Sequence, residues 1–179
     1  MPKFSLLIFL LIFVFGFLGC SALEEIKNEP HVDLERFMGD WFVVASIPTF
    51  LEKDAYNPKE SYRLNADGTI ATTYTYNSGA LDGSERAFYP TGFVRDAQSN
   101  AVWGMQFIWP IKADFRIVFV DDDYKHTVIG RQKRDFLWIM ARQPNVKDIV
   151  LEELIQLSVD EGYSRDDIIF PLHDNIHRE

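Results

Sequence analysis

The sequence predicts an all-β fold: an eight-stranded antiparallel up-and-down β-barrel with one C-terminal α-helix packed on the outside. Three observations carry this. Between residues 41 and 142 the chain breaks into runs of about eight residues separated by turn chemistry, and no helix-length periodic segment interrupts them. Within the runs the large apolar side chains alternate, so each offers one heavy face for burial. After Pro144 the apolar spacing becomes helical.

The turns come in order. Asn65-Ala66-Asp67-Gly68 separates residues 62–64 from the run 69–76, which Asn77-Ser78-Gly79 closes. Asp96-Ala97-Gln98-Ser99-Asn100, Trp109-Pro110, Asp121-Asp122-Asp123 and Gln132-Lys133-Arg134-Asp135 divide the rest. Trp103, Met105 and Phe107 share one strand face, as do Phe115, Ile117 and Phe119, and Phe136, Trp138 and Met140. Tyr74 and Tyr76 are in phase with Ile70 and Thr72. Side chains this large need a second layer opposite them. Closing the sheet supplies it, since eight antiparallel strands enclose an interior just large enough for side chains or one small ligand. A sandwich with a dry core fits the same periodicity. On the opposite faces Val118, Val120, Leu137 and Ile139 need cover, and the segment after Pro144 provides it. Asn145 with Asp148 makes a capping-box-like start, Val146, Val150, Leu154 and Leu157 form the apolar stripe, and Glu161-Gly162 is the stop. Ile168-Ile169-Phe170 is a short edge strand before a polar tail, residues 173–179.

The N-terminus carries a different message. Lys3 precedes an apolar run over residues 6–15, and Gly19-Cys20 follows, which is the pattern of an exported signal spanning residues 1–19. Leu18-Gly19-Cys20 resembles a bacterial lipobox, which implies that the Cys20 thiol is acylated and becomes the first residue of a lipidated tether, residues 20–30. The apolar run is short for a spanning helix, which needs about 20 apolar residues. Cys20 is the single cysteine, so it has no intramolecular disulfide partner. Ser21 is not the Asp of an inner-membrane retention signal, so the expected location is the bacterial outer membrane, facing the periplasm. One domain of about 145 residues remains, residues 31–172, long enough to bury a core. Without residues 1–19 the chain keeps 17 basic against 27 acidic side chains. That is the wrong sign for a nucleic-acid binder.

Gly39-Asp40-Trp41 at the start of the first strand, Asp121-Asp122-Asp123-Tyr124 between strands six and seven, and Arg142 at the end of strand eight together resemble the three signature motifs of the lipocalins. The text of residues 37–41, 124–126 and 135–142 resembles the bacterial outer-membrane branch, to which plant temperature-induced lipocalins and apolipoprotein D are similar. Strand phase gives the motif residues structural roles. Trp41 faces inward with Val43 and Ala45, and Arg142 is in phase with Trp138 and Met140, so its guanidinium can lie across the indole and plug the barrel floor. Asp121 and Tyr124 brace a hairpin.

Catalytic chemistry finds no constellation. The three successive aspartates lack the alternating oxygen ligands of a calcium loop, and His31, His126, His173 and His177 form no convincing ligand set. No G-x-S-x-G nucleophile motif is present, and no metal or cofactor is expected. The aromatic stripe points elsewhere. In a closed barrel Tyr62, Tyr74, Tyr76, Trp103, Met105 and Phe107 face a lumen together with Phe115, Ile117, Phe119, Trp138 and Met140. Such a wall suits an acyl chain, and Met and aromatic side chains tolerate varied shapes. The expected function is therefore binding, storage or transport of lipophilic molecules, fatty acids or lysophospholipids, without catalysis. The alternative is an enzyme or a ligand-free structural envelope lipoprotein, which a filled barrel would favour.

Overall fold

The computed structural model describes residues 24–174. The signal segment, Cys20 and the last five residues lie outside the described residues. A four-residue helix, α1 (Leu34–Phe37), leads into β1 (Gly39–Ile47), β2 (Ala55–Leu64) and β3 (Thr69–Ser78). Then come β4 (Glu85–Phe88), β5 (Thr91–Val94), β6 (Val102–Ile108), β7 (Ile111–Val120), β8 (His126–Gly130) and β9 (Leu137–Ala141). The helix α2 (Asp148–Asp160) follows.

These nine segments make eight barrel staves. Both β4 and β5 pair with β3, the first against residues 74–77 and the second against residues 69–71, so they are two halves of one strand. Tyr89-Pro90 breaks it because proline has no N–H to give to a ladder. The antiparallel ladder runs from β2 through β1, β9, β8, β7, β6 and β5 to β3, and the pairing of β2 with β3 closes it. Closure turns one face of every strand toward a shared interior.

Apolar side chains accordingly gather in two places. Phe37, Trp41, Tyr62, Trp103, Ile117 and Met140 belong to a cluster inside the barrel. Leu154 and Ile155 of α2 pack outside on Val44, Val118, Val128 and Ile139. The covering helix is thus where the spacing predicts it, but it begins after Lys147, which makes no side-chain cap bond, and not at Asn145. Val146 packs on the outer cluster from an extended approach, which delays the first turn. The stop falls as predicted. Gly162, at φ +93°, donates to Val159 O while Tyr163 N–H reaches back to Ser158 O, the paired bonds of a Schellman end.

Four further expectations change. The bulge in β7 between Ile117 and Phe119 turns the strand, so Phe119 packs with the outer cluster and Val120 takes the inward place. Phe119 is therefore not a lumen residue. Ile26, placed by sequence in a tether, is 1% exposed within the outer cluster, and Glu29 N–H donates to Ile117 O. His173, expected to open a polar tail, is buried, with Nε2 2.7 Å from Val43 O. The last predicted strand is reduced to one bridge, in which Ser46 and Ile169 exchange two backbone hydrogen bonds of 2.9 and 2.8 Å.

Candidate functional site

The floor of the barrel is built first. Asp33 caps α1 by accepting from Arg36 N–H, and Phe37 at the end of that helix enters the barrel, its ring centroid 5.1 Å from Trp41 and 5.6 Å from Trp103. Arg142 then ties the parts together. Its guanidinium lies 3.8 Å over the Trp41 ring and donates to Asp40 O, Arg36 O and Tyr124 O. Gly39 stands at φ +94°, where a Cβ would be 3.3 Å from Arg142 Nη1, so only glycine meets both conditions. Asp121 holds the β7–β8 turn by accepting from Lys125 N–H and contacting His126 Nδ1 at 2.6 Å. Tyr124 OH accepts from Asp33 N–H at 2.8 Å, and Arg36 lies over its ring.

Above this floor lies a cavity of about 240 Å³ that opens between the β1–β2 loop, the β6–β7 hairpin and the β8–β9 turn. Tyr74, Met105, Phe107, Phe115 and Trp138 line it, five of the residues that strand phase turns inward. Tyr62, Trp103, Ile117 and Met140 also face inward, but they are buried in the interior cluster and do not line the cavity. The reason is Phe37 with Val32, which come from outside the strands and fill the lower barrel. Tyr76 is likewise buried off the cavity, stacked on Phe88 at 6.3 Å. The β6–β7 hairpin and adjoining loops make the mouth apolar: Trp109 is 82% exposed, and Phe50, Tyr89, Ile108 and Ile111 are exposed with it.

The cavity also has a polar wall, which the aromatic stripe did not announce. Glu60 is inward because it shares the phase of Pro58 and Tyr62 on β2, and that alternation was present in the sequence. It is paired across the sheet with Tyr74, as Tyr62 is with Thr72. Tyr62 OH donates to the Glu60 carboxylate. Burial pushes the Glu60 carboxyl up to about 7; the Tyr62 hydrogen bond opposes the rise and the Glu52 charge adds to it. Burial pushes the Tyr74 phenol up as well, with Glu52 and Glu60 contributing. Glu52 is fixed at the mouth, accepting from Trp138 Nε1 at 3.0 Å and from Thr49 N–H at 2.8 Å. Thr72 is 3% exposed and lines the cavity, and its Oγ1 has no hydrogen-bond partner.

A closed eight-stranded barrel with a plugged floor and an apolar cavity at one end defines a small-molecule-binding class of fold. Comparison with known proteins makes this specific. A family model described as a lipocalin-like domain matches residues 32–173, and the chain belongs to the lipocalin family. Temperature-induced lipocalin-1 of Arabidopsis thaliana is 30% identical over 152 residues, 80% of this chain and 78% of that protein. The outer membrane lipoprotein Blc of Escherichia coli K12 is 28% identical over 134 residues, 73% of each. Among solved structures, insecticyanin of the tobacco hornworm Manduca sexta superposes with a TM-score of 0.67 at 11% identity, covering 87% of this chain and 86% of its own. At that identity the likeness is one of fold.

Proposed function

We propose that this protein is a non-enzymatic carrier that binds, stores or transports a lipophilic molecule in the cell envelope, its elongated apolar part lying along Met105, Phe115 and Trp138. The observation that carries this reading is the separation of cavity from floor. The floor is packed solid, yet the barrel above it is not, and a barrel with a purely structural task has no reason to leave about 240 Å³ open beneath an apolar mouth. That volume lies just under the roughly 300–1,000 Å³ typical of ligand pockets, which favours one slender ligand such as a fatty acid or the acyl chain of a lysophospholipid. The exposed apolar rim supports loading from a membrane surface, where such ligands reside. A lipid anchor on Cys20 at the outer membrane, with the barrel facing the periplasm, completes the reading. Its support is the lipobox-like Leu18-Gly19-Cys20 and the similarity to a protein described as an outer membrane lipoprotein.

Native mass spectrometry of protein extracted gently from the envelope tests this. A co-purifying lipophile of defined mass is expected. Ligand-free protein that also gives no saturable tryptophan response to dodecyl amphiphiles would overturn the carrier reading.

A further inference from the structure

We propose that the inner wall of the cavity seats the positively charged head of a lipophilic amine, an ammonium group held between Glu60 and Glu52 and hydrogen-bonded to the Thr72 hydroxyl. This rests on the carrier reading and assigns the chemistry of the ligand's polar end. Four ionisable side chains of opposite sign line the cavity, and they are unequal: Glu52, Glu60 and Asp114 against Arg131 alone. Asp114 and Arg131 each have an ion-pair partner, and of the two only Arg131 keeps a buried nitrogen, Nε, without a hydrogen bond. Asp114 lies 3.1 Å from Arg116 Nε, and Arg131 Nη1 lies 3.3 Å from Asp135 Oδ2. Glu52 and Glu60 accept hydrogen bonds from Trp138, Thr49 and Tyr62, all neutral donors, and neither forms an ion pair within 4 Å among the described residues. The Glu52 charge also disfavours that of Glu60.

Thr72 makes an independent case. A buried hydroxyl without a partner forfeits a hydrogen bond that a buried polar group ordinarily keeps. Thr72 lines the same cavity, diagonal to Glu60 across the β2–β3 ladder, and its Oγ1 can accept an N–H from a bound head group. The walls around it suit a cation as well. Trp138 and Tyr74 line the cavity with Glu52, which accepts from Trp138 Nε1, and aromatic rings are residue types that attract ammonium groups. A carboxylate head entering the same place would bring a third negative charge to two unpaired ones. A fatty acid therefore has only the reversed pose, with its head at the mouth near Arg131.

Three twelve-carbon ligands separate these poses at equal tail length: dodecylamine, dodecanol and dodecanoate, each titrated below its micelle concentration into the purified protein at pH 8 with tryptophan fluorescence as readout. Dodecylamine is expected to bind at least 10-fold more tightly than dodecanoate. Because an acidic protein attracts any cation, the deciding comparison is Glu60→Gln. It should weaken dodecylamine at least 10-fold and leave dodecanol within about 2-fold, with circular dichroism confirming the fold. Thr72→Val should weaken dodecylamine and dodecanol together. Dodecanoate binding as tightly as dodecylamine and lost in Arg131→Gln, or a Glu60→Gln variant indifferent to dodecylamine, would overturn the head-group assignment while the carrier reading stands. No saturable binding of any of the three overturns both.

Discussion

Glu60 makes the stability of this barrel depend on pH in a direction opposite to that of an ordinary paired carboxylate. Burial raises its folded pKa from 4.5 to about 7, so in the unfolded chain the proton leaves first. Below about pH 4.5 both states hold the proton and the group costs nothing. As pH rises toward 7 the unfolded state gains by ionising while the folded state does not, and stability falls. Above about 7 the whole difference is felt, about 3 kcal/mol at 1.36 kcal/mol per tenfold change in proton affinity. Glu60→Gln keeps an oxygen to accept from Tyr62 OH and removes the charge. The variant should therefore be more stable than the parent at pH 8, by up to about 3 kcal/mol, and close to it at pH 4.5. Urea unfolding at both pH values, followed by tryptophan emission, measures the two gaps. Contributions from carboxylates remote from Glu60 are common to both proteins and cancel in the difference. A gap of the same size at both pH values would refute the argument, because it would mean that Glu60 is not ionised against its surroundings in the folded state.

Three other outcomes follow from the geometry. Arg142→Ala removes a guanidinium stacked on Trp41 and bonded to four backbone carbonyls, and should cost about 2 kcal/mol or more, read as a lower melting midpoint with ligand rank order unchanged; Arg142→Lys should recover only part, since an ammonium lacks the planar fork. Met105→Trp should fill the cavity and weaken ligand binding with stability retained, whereas Ile117→Trp, placed in the packed floor, should cost roughly 1–3 kcal/mol of stability; equal effects of the two on calorimetry would deny the boundary between cavity and floor. Cys20→Ser should leave an unprocessed precursor or release the protein from the membrane fraction, and an intact mass showing unmodified Cys20 in wild-type membranes would remove the anchor.

What sequence could say about this site depended on whether the information was local. Turn residues and alternation are local, so the antiparallel strands, the covering helix and the Gly162 stop were all legible, while the choice of a closed barrel over a sandwich needed the lipocalin-like motifs as well. Arg142 over Trp41 was legible too, because the phase of two strands and a ring–cation attraction define it without knowledge of depth. Depth itself was not. Tyr62, Trp103 and Ile117 have the same inward phase as Met105 and Phe115, and nothing in the strands says that Phe37 and Val32 arrive from the N-terminal segment to bury the first three. Phe119 failed for a related reason, since a bulge is one extra residue in a ladder and shows only when the partner strand is known. Glu60 was different. Its alternation with Tyr62 is plain in the sequence, but a charged side chain ordinarily faces outward, and strand phase alone does not overrule that.

The layering explains how the barrel can tolerate such a residue. Stability is concentrated in the floor, where Phe37, Trp41 and Arg142 close the end, and outside, where Leu154 and Ile155 of α2 seal Val44, Val128 and Ile139. Neither region touches the open volume, so the cavity can hold a buried carboxyl, an orphan hydroxyl and empty space at a cost met elsewhere in the fold. Side chains around the cavity are then free to be chosen for a ligand. On this division, substitutions in the floor should change melting and leave selectivity alone, while Glu60, Thr72 and Glu52 should do the reverse, except that Glu60 charges the fold for its ionisation at neutral pH. A ligand that brings its own cation to Glu60 removes that cost as it binds, so occupancy and stability rise together, and more steeply at pH 8 than at pH 5.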